Sequence, residues 1–259
     1  MIAVLPLPGS PLYDGNDQRV MDQALSDLKH YKEAGVDSVL LENDHDLPYI
    51  QPPLDPRGIA LMTDIAKEVR KRFDGPIGIQ MLEAANITSL EIAAEADLDY
   101  IRVEAYVFAH AGGSGVIHGS AGKILRRRKE LNTEYIKVFA DVKKKHGSHS
   151  LTIDLDITDE IRQAEFFLAD GVIVTSQFTG LNPDKEDLKK AKSVTKLPVL
   201  IGSGMTAENI KDYLPLADGF IVGSYFRKDG QFLETLEPER LRKFMQVFDS
   251  ARTGILMGE

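Results

Sequence analysis

Residues able to do acid–base or anion chemistry recur just after short apolar runs in this chain. Glu42, Asn43 and Asp44 close the run at 38–42, and Glu83 and Asn86 follow 76–82. Arg102 and Glu104 lie at 100–103, and Asp141, Lys143, Lys145 and His146 at 135–142. Thr175, Ser176, Gln177 and Thr179 follow 171–175. Carboxylates so placed can move protons, and cations can hold an oxyanion. An imidazole titrates near neutrality. Alternation with Val138 and Ala140 puts Asp141 near its strand end. Asp141 and Glu42 are therefore the candidate acid/base groups, with Lys145 or His146 stabilising developing negative charge. Asn43, Arg102, Glu104, Thr175 and Thr179 are candidate substrate contacts. The blander alternative for residues 143–146 is a solvated lysine run.

A second set consists of small residues. Gly202-Ser203-Gly204 and Gly223-Ser224 each end an apolar run, with a helical segment between them. Without a Cβ in the way, backbone N–H groups can close on an anion, so Gly202, Ser203, Gly204, Gly223 and Ser224 are the candidate phosphate cradle. Other motifs fall away. Gly119-Ser120-Ala121-Gly122-Lys123 resembles the end of a Walker A loop, but Ile117 and Ile124 occupy positions that need Gly and Ser or Thr. There is no cysteine, which excludes disulfides, thiolate zinc and a cysteine nucleophile. His146 and His149 stand three apart near Asp141, Asp154 and Asp156, yet no His-Glu-x-x-His accompanies them. Neither metal nor cofactor is expected.

The elements that must position these groups follow from periodicity. Apolar runs at 2–7, 38–42, 76–82, 100–103, 135–142, 171–175, 198–202 and 219–223 read as strands. Helical stripes separate them, such as Val20, Ala24, Leu28 and Tyr31. Some eight β/α units with no linker predict a single (β/α)8 TIM-type barrel over residues 1–259. Asp37, Asp99, Asp170 and Asp218 each stand just before an even-numbered strand, a two-unit repeat expected of alternating barrel layers. They are read as turn residues satisfying their own backbone at the barrel's lower end. The glycine-rich stretch around Gly112, Gly113 and Gly115 reads as a lid. In such a barrel the active site lies at the carboxyl ends of the strands, and the loops after the seventh and eighth commonly hold phosphate.

Composition narrows the partners. The net charge of −9 opposes general nucleic-acid binding, and no apolar run approaches the length of a membrane span. A cytoplasmic protein is expected, and a homo-oligomer is compatible with the sequence.

Several segments together resemble the BtpA/SgcQ family. They are Pro6-Leu7-Pro8-Gly9-Ser10-Pro11, Gly35-Val36-Asp37 with Glu42-Asn43, Ile101-Arg102-Val103, and Ala140-Asp141-Val142 with Lys145-His146. Val174-Thr175 with Thr179-Gly180, Gly202-Ser203-Gly204 with Glu208-Asn209, and Ala217-Asp218-Gly219 through Asp229-Gly230 complete the set. The resemblance spans essentially the whole chain and implies a TIM-like barrel. It also implies a link to thylakoid complex biogenesis in phototrophs, or to sugar-phosphate transport elsewhere. The chain departs from the family pattern at Leu82-Glu83-Ala84-Ala85-Asn86 and at Glu104.

Two functions are expected to compete. One is an enzyme doing acid/base chemistry on a small phosphorylated, sugar-phosphate-like molecule, as isomerase, lyase or hydrolase. The other is a non-catalytic assembly or stability factor for a protein complex.

Overall fold

The computed structural model describes residues 1–144, 146–175 and 182–257. In chain order its elements are β1 (Ile2–Ala3), α1 (Asp17–Glu33), β2 (Val39–Glu42), α2 (Pro56–Arg70), β3 (Ile77–Gln80), α3 (Asn86–Glu95) and β4 (Tyr100–Val103). Then come β5 (His110–Gly112), β6 (Gly115–Ile117), α4 (Ala121–Glu130), β7 (Lys137–Val142), α5 (Ile157–Phe166) and β8 (Gly171–Val174). α6 (Lys185–Val194), β9 (Val199–Ile201), α7 (Ile210–Tyr213), β10 (Gly219–Phe220) and α8 (Pro238–Met257) complete the chain. Eight strands form one parallel sheet in the order β1-β2-β3-β4-β7-β8-β9-β10. The sheet curls into the expected TIM-type barrel, and beside its end strands β1 and β10 the Met1 ammonium donates to the Val222 carbonyl at 3.0 Å. β5 and β6 form a separate antiparallel hairpin, where the sequence suggested only a glycine-rich lid.

Local chemistry explains the helices. Val20, Ala24, Leu28 and Tyr31 bury one stripe of α1, whose N-cap Asn16 accepts from the Arg19 N–H. Pro56 opens α2 behind the cap Asp55. At α5, Asp156 and Asp159 form a capping box.

Ladder partners share a face, so register identifies the residues inside the barrel. Gly78 pairs Tyr100, and Phe139 pairs Gly171. A Cβ at Gly78 would lie 2.0 Å from the Tyr100 ring, and one at Gly171 would lie 2.4 Å from the Phe139 ring. The two glycines thus make room for two rings, which meet edge to face at 5.6 Å.

The aspartates before even strands need a correction. Rather than closing their own turns, they cap the strand next door. Asp99 accepts from the Ile77 N–H at 2.7 Å, Asp170 from Val138 at 3.0 Å and Asp218 from Val199 at 2.8 Å. Each supplies an acceptor to a backbone N–H at the start of an odd-numbered strand. Asp37 differs, pairing with Arg252 of α8 at 3.0 Å.

Candidate active site at the barrel mouth

The carboxyl ends of the strands surround a cavity of about 660 Å³. β2 delivers Glu42, β3 Gln80, β4 Arg102, and the turns beyond β3, β4 and β7 deliver Glu83, Glu104 and Lys144. These turns use backbone that side chains rarely adopt: Ala84, Ala105 and Lys143 have φ of 54°, 46° and 47°. Such conformations gather at functional sites because the surrounding structure must hold them in place.

The charges fall into two buried groups. In the first, Arg102 Nη1 donates to Glu42 Oε1 at 3.0 Å, and its Nε donates to both oxygens of Asp141, at 3.1 and 3.2 Å. In the second, Lys144 Nζ lies 2.6 Å from Glu104 Oε1 and 3.4 Å from Glu83 Oε1. Gln80 Nε2 also donates to Glu104 Oε1 at 3.0 Å, and the Ala84 N–H to its Oε2 at 3.0 Å. Glu104 thus accepts from three donors and Glu42 from the guanidinium on one oxygen, and both line the cavity.

Burial and pairing decide protonation here. Burial alone would pull Lys144 down, but Glu104 and Glu83 more than offset it, so the ammonium is held above its ordinary range. Burial pushes the Glu104 carboxyl up against the pull of Lys144. Glu83 goes the other way. Burial would raise it, yet the Ser114 hydrogen bond and Lys144 lower it. A lysine so charged is a fixed cation rather than a Schiff-base nucleophile.

Across the mouth, Gly202, Ser203, Gly204, Gly223 and Ser224 all line the cavity, as expected of the cradle. Gly204 has φ +77°, and a Cβ at Gly202 would come within 2.7 Å of Ile173. Arg240, from the first turn of α8, lines the same end, its guanidinium 4.6 Å over the Tyr225 ring.

The other expected residues divide. Glu42, Arg102, Glu104 and His146 line the cavity, while Asp141 is buried beneath Arg102. Asn43 is also buried below the mouth. It accepts from the Leu82 N–H at 2.6 Å and donates to the Leu82 carbonyl at 3.2 Å, tying the β2 and β3 turns together. Thr175 is buried and does not line the cavity. Lys145 and Thr179 lie outside the described residues. Sequence reasoning passed over Lys144, Gln80 and Arg240. Lys144 was hidden inside the run at 143–145, and nothing in an α8 helix start marked Arg240 as facing a cavity.

The hairpin β5–β6 reaches this rim. The Ser114 N–H donates to Glu83 Oε2 at 3.0 Å, and Gln51 Nε2 donates to the carbonyls of Ser114 and Val116 at 3.0 and 3.2 Å. It is thus tied to the carboxylate that meets Lys144.

Fold and mouth together define a TIM barrel with a cavity at the carboxyl ends of its strands that buried charges line on one side. The BtpA family model matches residues 1–250, and the chain belongs to that family. A Caenorhabditis elegans protein named Uncharacterized protein F13E9.13, mitochondrial, is 38% identical over 251 residues, covering 95% of this chain and 90% of its own. Photosystem I biogenesis protein BtpA of Synechocystis is 33% identical, covering 95% and 86%. Among solved structures, thiamine phosphate pyrophosphorylase of Pyrococcus furiosus superposes with a TM-score of 0.58 at 13% identity, covering 90% of this chain and 93% of that one. For 3-hexulose-6-phosphate synthase of Salmonella typhimurium the values are 0.57, 20%, 89% and 94%. Both likenesses bear on fold alone. No described helix is long and apolar enough to cross a membrane.

Proposed function

We propose that the protein is an enzyme that binds a small phosphorylated, sugar-phosphate-like metabolite at the barrel mouth and performs acid/base chemistry on it. One observation carries this reading: a single cavity joins the glycine turns after β9 and β10 to buried charged side chains from β2, β3, β4 and β7. In this reading Gly202, Ser203, Gly204, Gly223 and Ser224 hold the phosphate through backbone N–H groups, and Arg240 adds a cation. Glu42 moves the proton with its free oxygen, and Asp141 fixes Arg102, which orients Glu42. Lys144 stabilises the charge that develops on a substrate oxygen, the task expected of Lys145 or His146. Two solved barrels of like fold are named for phosphorylated compounds, which agrees with the choice of ligand.

The test is a thermal melt. Inorganic phosphate or a hexose 6-phosphate at a hundred times its dissociation constant should stabilise the fold by about 2.7 kcal/mol. Ser224→Asp places a like charge in the cradle and should abolish that gain without changing the unliganded melt. No stabilisation by either ligand defeats the proposal. The competing assembly-factor reading draws on the name of the Synechocystis relative and on the exposed Phe166 and Leu168. It gains ground if phosphate fails to bind.

A further inference from the structure

The mouth is larger and less polar than a sugar phosphate requires. Its 660 Å³ falls well within the range of roughly 300–1,000 Å³ that encloses drug-sized ligands. Polar groups occupy only part of the wall. The phosphate cradle lies after β9 and β10, and the buried charges lie from β2 to β7. The apolar part of the remaining wall includes Leu47, Tyr49, Met205, Tyr225 and Phe232. Tyr49 and Leu47 come from the segment after β2, and Tyr225 and Phe232 from the segment after β10. The Tyr49 hydroxyl donates to the Asp44 carbonyl at 2.8 Å, which fixes its ring at the rim. A ligand made only of phosphate and polyol would leave this apolar side facing water.

We infer that the ligand is a phosphomonoester whose sugar carries a planar ring, the ring lying against Tyr49 and Phe232 while the phosphate occupies the turns at Gly204 and Ser224. This deepens the phosphate reading and rests on it. An aromatic face suits a planar heterocycle because offset stacking adds to the area buried. The hydroxyls of the sugar between ring and phosphate then meet Glu42, Gln80 and Glu104, which are acceptors or amides suited to them.

Isothermal titration calorimetry with the full chain separates the possibilities. The probes are ribose 5-phosphate and the 5′-monophosphates of adenosine, guanosine, cytidine and uridine. At least one nucleotide should bind about tenfold or more tightly than ribose 5-phosphate. Phe232→Ala should bring that nucleotide to within about twofold of ribose 5-phosphate, whose own affinity it leaves unchanged. A far-ultraviolet circular dichroism spectrum and melt confirm that the variant folds, and Phe232→Tyr, which keeps the ring, should restore the preference. If ribose 5-phosphate binds and no nucleotide binds more tightly, the ring inference is overturned and the phosphate reading stands. Equal weakening of both ligands by Phe232→Ala also overturns it. If none of the probes binds, both readings fall.

Discussion

Lys144 shows how much one side chain's direction decides. It is about one-tenth exposed and stands between two carboxylates, so replacing it by an apolar residue strands two negative charges. Lys144→Met should cost about 3–5 kcal/mol at neutral pH, read from urea unfolding. Glu104→Gln in the same background should recover part of that loss. A cost below about 1 kcal/mol would mean the three groups behave as a surface pair and are not coupled. The sequence could not single out Lys144, because a run of three lysines carries no label for which one turns inward. The turn is made by Lys143, whose φ of 47° redirects the chain just as β7 ends. Lys143 itself reaches the carbonyl of Leu155 at 2.8 Å and Glu160 at 3.1 Å. Glu42, Arg102 and Glu104 were legible for the opposite reason. Each follows an unambiguous apolar run, so strand register alone places it at the rim.

At the scale of elements, the interior rests on glycine–ring pairs between neighbouring strands. Gly78→Ala would drive a methyl into the Tyr100 ring and should cost about 1–3 kcal/mol. Tyr100→Leu added to it should relieve most of the clash, leaving the double variant more stable than the sum of the singles. Strict additivity in chemical denaturation would mean the two positions do not share space. Strands and helices were readable because their periods differ and because an Asp recurs before every second strand. The role of that Asp was not readable. Accepting from a neighbouring strand needs the sheet order, which no local pattern contains. The hairpin β5–β6 escaped for a simpler reason: three-residue strands rich in glycine carry too few side chains to alternate.

For the whole molecule, acid should be destabilising through two histidines. His45 and His110 are each lowered by burial, from 6.5 to about 4. Between those values the unfolded chain binds more protons than the folded one, so stability rises with pH from about 4 to 6.5 and gains nothing further above it. The raised carboxyls of Asp27, Asp46 and Glu104 work in the opposite sense, so comparison of variants is the sharper measure. Urea midpoints of a His45→Asn/His110→Asn variant should fall less steeply than wild type as pH drops through that window. Parallel profiles would show that neither imidazole is responsible. The barrel itself was legible from the ordered pieces of sequence, and membership of the BtpA family is consistent with them. Ligand identity was not, because it depends on which loops meet across the mouth.

One long-range contact sets a schedule for the growing chain. Asp27 of α1 is paired at 3.5 Å with Arg227, 200 residues later. At a synthesis rate of about 5–20 residues per second, the ribosome needs roughly 10–40 s to supply that partner. Until then α1 carries an acid destined for the interior without the guanidinium that pairs with it. Burial raises the pKa of Asp27, so its neutral form is the less costly one to enclose. α1 therefore receives this buried counterion only some 200 residues after its own synthesis.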